Sequence, residues 1–236
     1  MTLRVTPTYY EDDGLRYDRV TEIIHQMWPI PGIQSWRETV GKARANRDLR
    51  HAERIGTTVD VAITKILSGQ VETLKPQSVE VRQALRGFQE WHSLNPLHPR
   101  ALQQPLLDQD YYIGGTPDCL AEEGYDWKTS SRFSFTQVLQ IDRYWRMAEV
   151  HGYALSAYRL VRFDKILGTW EELILRPEGL QWQGQWITRE FLDQTFQTLL
   201  RLYRAWHYVD GQEWSLPLPS DTTAPVGSPG LPNTGG

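Results

Sequence analysis

Hydrophobic positions along this chain recur at helical spacing in some stretches and alternate in others, and the switches mark its elements. Residues 1 to 19 are polar and tyrosine-rich, with a turn predicted at Glu11-Asp12-Asp13-Gly14. Arg19-Val20-Thr21-Glu22-Ile23-Ile24 opens a short helix that should stop at Pro29 and Pro31. A longer helix is predicted from Ser35, with Ser35 as N-cap and Glu38 three positions on. Val59, Ile63, Ile66 and Leu67 form an apolar stripe ending at Gly69. Val81, Leu85, Phe88 and Trp91 mark a third helix behind Ser78, ended by Pro96 and Pro99. Alternation then takes over. Tyr111 to Leu120 and Tyr125 to Thr129 flank Glu122-Glu123-Gly124, a hairpin signal. Ser134 is the predicted N-cap of a helix from Phe135 to about Val150, closed by Gly152. Tyr153 to Phe163, Trp170 to Leu175 and Leu180 to Ile187 read as strands. From Thr188 to about Tyr208 the pattern is an amphipathic helix with Phe191, Leu192, Phe196, Leu199, Tyr203 and Trp206 toward the core. This order predicts an α/β fold with a central mixed β-sheet flanked by helices. One domain is expected over residues 1–214, and five prolines after Ser215 predict a disordered tail over 215–236.

Composition narrows the classes. A hydrophobic share of 40% and a charged share of 23% are those of a globular chain. Ten tryptophans, among them Trp28, Trp36, Trp91, Trp145 and Trp206, are expected as packing anchors. A net charge of −4 gives no overall basic footprint, so any anion site must be local. The single cysteine, Cys119, excludes an internal disulfide and a four-cysteine zinc or iron–sulfur site. No apolar run reaches the roughly 20 residues of a membrane span, and Met1-Thr-Leu-Arg-Val-Thr-Pro has no signal-peptide core, so a cytoplasmic location is expected. The end, Leu231-Pro-Asn-Thr-Gly-Gly236, is similar to a sortase recognition signal without the hydrophobic segment and basic end of a wall anchor; it is read as chance or a tag.

Candidate chemistry gathers in the predicted hairpin. With its turn near Glu122, Asp118 falls opposite Asp126, and period-two alternation puts Asp126 and Lys128 on one face and Trp127 on the other. Neighbouring carboxylates repel, and a shared magnesium or manganese ion relieves them. A lysine beside such an ion can orient water or offset charge on a phosphoryl group. Gly114-Gly115 just upstream suggests a bulge. Arg37, Arg44, Arg47, His51 and Arg54 recur at helical spacing as a basic stripe suited to phosphate contact. Gln140 and Tyr144 share a helical face, joined by Gln137, and can donate to phosphate oxygens or stack on a base.

At these residues the chain resembles a known family. Gly115-Thr116-Pro117-Asp118 followed by Asp126-Trp127-Lys128-Thr129-Ser130 resembles the PD-(D/E)XK nuclease superfamily, in its RecB-like exonuclease branch. Gln140-Ile-Asp-Arg-Tyr144 resembles that branch's Gln-x-x-x-Tyr motif, and Val20 to Ile63 resembles its N-terminal helices. The resemblance covers roughly Val20 to Phe163 and implies a restriction-endonuclease-like core. It further implies a metal held by Asp118, Asp126 and the Trp127 carbonyl, with Lys128 as the catalytic lysine. Where the family carries a metal-ligating histidine, this chain has Asp60, itself a hard oxygen ligand. The activity implied is Mg²⁺-dependent (Mn²⁺ as alternative) hydrolysis of DNA, single-stranded or at duplex ends, beside a recombination or repair partner protein. Two alternatives stay open: an endonuclease of the same superfamily, and a nucleic-acid-binding or assembly module that no longer cuts.

Overall fold

The computed structural model describes residues 3–28, 33–70 and 77–209. The tail over 215–236 and the prolines at 29 and 31 lie outside the described residues. Among the described residues the fold is mixed α/β, with two five-stranded mixed sheets and six helices. No helix among them is long and apolar enough to cross a membrane.

The tyrosine-rich start folds as β1 (Arg4–Val5), β2 (Tyr9–Asp12) and β3 (Leu15–Arg19). The turn between β2 and β3 falls where the acidic run predicts it, with Asp13 and Gly14 both in the left-handed region (φ 51° and 78°). Helix α1 (Val20–Met27) follows directly. The long helix predicted from Ser35 is two helices, α2 (Ile33–Val40) and α3 (Lys42–Leu67). Ser35 lies inside α2 and is not its cap. Gly41, at φ 83°, breaks the pair and takes Arg37 out of line with the arginines of α3. Helix α4 (Val79–Leu94) begins as predicted, the Ser78 hydroxyl accepting from the Val81 N–H at 3.4 Å.

The central stretch is not a single hairpin. Strands β4 (Ala101–Leu102) and β5 (Leu106–Asp108) lead to β6 (Ile113–Gly115), then β7 (Cys119–Leu120) and β8 (Gly124–Lys128). Strand β6 belongs to the first sheet, in the order β1-β2-β3-β6-β5, where it runs parallel to β3. Strands β7 and β8 belong to the second. Thr116-Pro117-Asp118 is the crossing between the sheets, and Pro117, with no N–H to donate, ends the first ladder. The second sheet is completed by β9 (Tyr158–Phe163) and β10 (Trp170–Leu175), in the order β10-β9-β8-β7-β4. Strand β9 runs parallel to β8, as a right-sized crossover through α5 (Phe135–Val150) allows. The run Leu180 to Ile187 is a small hairpin, β11 (Leu180–Trp182) with β12 (Gln185–Ile187), turning at Gln183-Gly184.

Alternation along β8 and β9 separates two cores. Tyr125, Trp127, Val161 and Phe163 pack with α3 and α4 around Phe88 and Trp91. On the other face Tyr158 and Leu160 pack with α1, α5 and α6 (Arg189–Val209). The sheet is therefore covered on both faces, as a parallel pair requires. Helix α6 buries Leu192, Phe196, Leu199 and Tyr203, but Phe191 (49% exposed) and Trp206 (62%) point to solvent, against expectation. The extra hold on α6 is ionic. Arg189 reaches Asp142, on the side of α5 opposite Gln140 and Tyr144, at 3.0 Å, and Arg143, on a flanking face, pairs with Asp193.

Gly114 and Gly115 form no bulge: they pair in unbroken register with Leu107 and Leu106. Close packing is their reason. A Cβ at Gly115 would lie 2.3 Å from the Tyr144 ring, and one at Gly114 2.5 Å from the Tyr10 ring. Gly115→Ala should therefore destabilise the fold by about 1–3 kcal/mol and dislodge Tyr144. Chemical denaturation checks this; an unchanged midpoint would mean that the ring has room to move.

Candidate functional site

A cleft of about 470 Å³ opens where the two sheets meet α3 and α5. Its lining includes Asp60, Asp118, Asp126, Trp127, Lys128, Gln140 and Tyr144. Four separate parts of the chain bring them there: α3, the inter-sheet crossing, β8 and α5.

Each is held by a local cause. Register places Cys119 opposite Tyr125, and one residue further along the crossing the Asp118 carboxylate accepts the Trp127 N–H at 2.7 Å. Asp126 and Lys128 share a face of β8 and pair directly, while the Trp127 ring turns into the α4 core, 5.5 Å from Trp91. Gln140 Nε2 donates to Asp126 at 3.3 Å. Tyr144 stands one turn later, seated against Gly115. Asp60 reaches in from α3, one turn after Gly56, which also lines the cleft.

The sequence pattern gives no sign of Gln103, which ties the group together. Its Nε2 donates to Asp60 at 2.9 Å and to Asp118 at 3.1 Å, and its backbone N–H donates to the Asp118 carbonyl at 3.1 Å. Its φ of 48° is uncommon for a residue with a side chain, a strain often found at functional sites. Arg19, Thr116 and Lys165 also line the cleft, and the Tyr10 hydroxyl bonds Thr116 at 2.8 Å. These arrive by long-range pairing, which local spacing does not encode.

Other predicted residues are not brought to the cleft. Arg47 and Arg54 line a separate depression with Arg50 and Glu53. At about 100° per residue they sit roughly 180° and 200° around α3 from Gly56. Arg44 lies on the exposed part of α3 and pairs with Asp48 at 3.8 Å. Gln137 has another job: its Oε1 accepts the Ser134 N–H at 3.0 Å, and its Nε2 donates to Ser130.

Charge in the cleft is poised. Desolvation, then the charge of Asp126, push Asp60 up to about 6, against the pull of Lys128. Desolvation and the charges of Asp126 and Asp60 hold Asp118 well above the usual carboxylate range. Burial works against the Lys128 ammonium, but Asp126, Asp118 and Asp60 outweigh it and keep its pKa above that of an ordinary lysine. Desolvation and repulsion from Lys128 hold the His25 imidazole of α1 low, against the pull of Glu22.

The donor set suits a hard divalent cation: three carboxylates with a single ammonium among them. Among the described residues no group of three His, Cys, Asp or Glu side chains converges as a ready-made metal cage. Instead the Gln103 amide and the Lys128 ammonium occupy the carboxylate oxygens, so a cation would share or replace those contacts. No family model matches this chain, and no curated protein is significantly similar to it.

The raised carboxylates give a stability test. In the folded chain Asp60 and Asp118 take up protons at pH values where an unfolded aspartate, near 3.8, is ionised. Native-state binding of the extra protons means that stability rises as pH falls. Without divalent ions, the melting temperature should rise as pH drops from 7 toward 5. Asp118→Asn should raise it at pH 7 and flatten part of that slope. A wild-type melting temperature that falls over this window would contradict the raising of these carboxylates by desolvation and by one another.

Proposed function

We propose that this chain is a metal-dependent DNA nuclease of the PD-(D/E)XK, RecB-like kind on a restriction-endonuclease-like core, acting as an exonuclease in recombination, repair or phage DNA processing. The observation that carries the reading is the convergence of Asp60, Asp118, Asp126 and Lys128 from separate elements in one cleft, with Gln140 and Tyr144 beside them.

A magnesium or manganese ion, held by Asp118, Asp126, Asp60 and the Trp127 carbonyl, would supply Lewis-acid activation of water and neutralise phosphate charge. The protein's own groups do the rest. Lys128, kept charged by its carboxylate neighbours, orients the attacking water and offsets charge building on the phosphoryl oxygens, rather than acting as a base. Gln140 fixes Asp126 through its amide. Tyr144, desolvated and held protonated by burial and the charge of Asp126, is a hydrogen-bond donor for a phosphate oxygen. Arg19 and Lys165 take the phosphate-steering role that the sequence pattern gave to the stripe on α3.

One observation favours a second reading. Gln103 and Lys128 already engage one oxygen of each carboxylate, as they would in a nucleic-acid-binding module that does not cut. A time course on end-labelled single-stranded and duplex linear DNA, with a closed circle alongside, in magnesium and in EDTA, separates these readings. Magnesium-dependent loss of the linear species with the circle spared is expected; a cut circle makes the protein an endonuclease. Lys128→Ala should lower turnover by at least about a hundredfold while DNA binding in EDTA persists. Undiminished turnover in that variant removes Lys128 from the mechanism.

A further inference from the structure

A second concavity, of about 390 Å³, lies beside the cleft and is built from aromatic rings. Trp28, at the C-terminal end of α1, stands 5.3 Å from Phe135, at the start of α5. Phe135 in turn stands 6.1 Å from Trp182 of the β11–β12 hairpin. All three are only partly buried, and Phe133 and the exposed Arg132 complete the wall.

Two elements join this groove to the cleft. The loop after β8 lines the cleft with Thr129 and Ser130 and the groove with Arg132 to Phe135. It is braced: Ser130 donates to the Arg132 carbonyl at 2.9 Å, and Arg162 to the Ser130 carbonyl at 3.2 Å. Helix α1 spans the same interval, with Arg19 in the cleft at its start and Trp28 in the groove at its end. Nine residues at about 1.5 Å each separate them by roughly 14 Å along the axis, the length of about four nucleotides at roughly 3.4 Å per nucleotide of one strand.

We propose that this groove is a base-stacking subsite for single-stranded DNA whose phosphodiester enters the cleft. The proposal rests on the nuclease reading of the cleft and names its substrate as a single strand. Aromatic faces accept any base, and a guanidinium on the rim meets the backbone, so the recognition tolerates sequence. A rigid duplex cannot present an unpaired base there. The groove therefore selects an unpaired strand several nucleotides from the scissile bond.

The test uses the full chain with Trp182→Ala and Arg132→Glu, neither of which touches the cleft. Affinity for a labelled thymidine 20-mer is measured by anisotropy in EDTA, where nothing is cut. Hydrolysis of bis(p-nitrophenyl) phosphate in manganese is measured separately and reports the cleft alone. Each variant should lose roughly tenfold or more in affinity while the small diester is hydrolysed at the wild-type rate. Wild-type affinity in both variants would overturn the subsite even if the diester is hydrolysed. Loss of binding in the variants, with no hydrolysis of the diester by any form, would sustain the subsite and sink the nuclease reading. Tighter binding of a uridine 20-mer than of the thymidine one would overturn single-stranded DNA as the occupant.

Discussion

A carboxylate withdrawn from water needs donors, and much of this structure follows from how Asp118 finds them. One oxygen takes the Trp127 N–H and the other the Gln103 amide. The first bond pins the end of β8 to the crossing between the two sheets. The second draws in the β4–β5 connection and, through the same amide, Asp60 of α3. A residue that reads as catalytic is thus also the joint at which two sheets and a helix are fastened. Fastening and poise conflict, because each carboxylate brought to the joint raises the cost of ionising the others. Lys128 offsets that cost, and its own retained charge is the consequence.

The parts of this arrangement that local spacing controls were legible in the chain. Period-two alternation placed Asp126 with Lys128 and turned Trp127 away, because strand geometry leaves no other choice. Ser78, the Asp13-Gly14 turn and the four-residue spacing of Gln140 and Tyr144 are equally local. The length of the helix predicted from Ser35 was not legible: Gly41 in the left-handed region splits it, and a lone glycine in a helical pattern does not announce that conformation. Long-range choices were not legible. Nothing near Gln103 marks it as a bridge, and only the meeting of α3 with the crossing makes it one. The arginines of α3 recur with helical period, but periodicity fixes only that they share a face. Apolar Ile55, Val59 and Ile63 decide which side of α3 packs inward. The glycine pair suggests a bulge because a sequence shows missing side chains without the Tyr144 and Tyr10 rings that need the space.

Helix α5 shows how one element serves two tasks. Gln140 and Tyr144 look into the cleft, while Asp142, Arg143 and Arg146 on other faces hold α6 through paired charges. Buried pairs of this kind contribute little net stability, since desolvation consumes most of their attraction. Their effect is orientation. An apolar contact would let α5 rotate by a fraction of a turn; paired guanidinium and carboxylate groups resist that. The angle of Gln140 toward Asp126 is thereby fixed from the far side of the helix.

The same economy of local charge explains how an acidic chain could hold a polyanion. With a net charge of −4, attraction cannot come from the molecule as a whole. At ionic strengths near those of a cell, exposed charges farther than about 8 Å apart are largely screened, so the distant carboxylates count for little. On the proposed reading, the cations that would act on a strand are those within that range of its path: Arg19 and Lys165 at the cleft, and Arg132 at the aromatic groove. A path with few cations and several rings would hold a strand by its bases as much as by its phosphates. Binding of that kind weakens less steeply with salt than binding by a basic stripe, because fewer counterions are released.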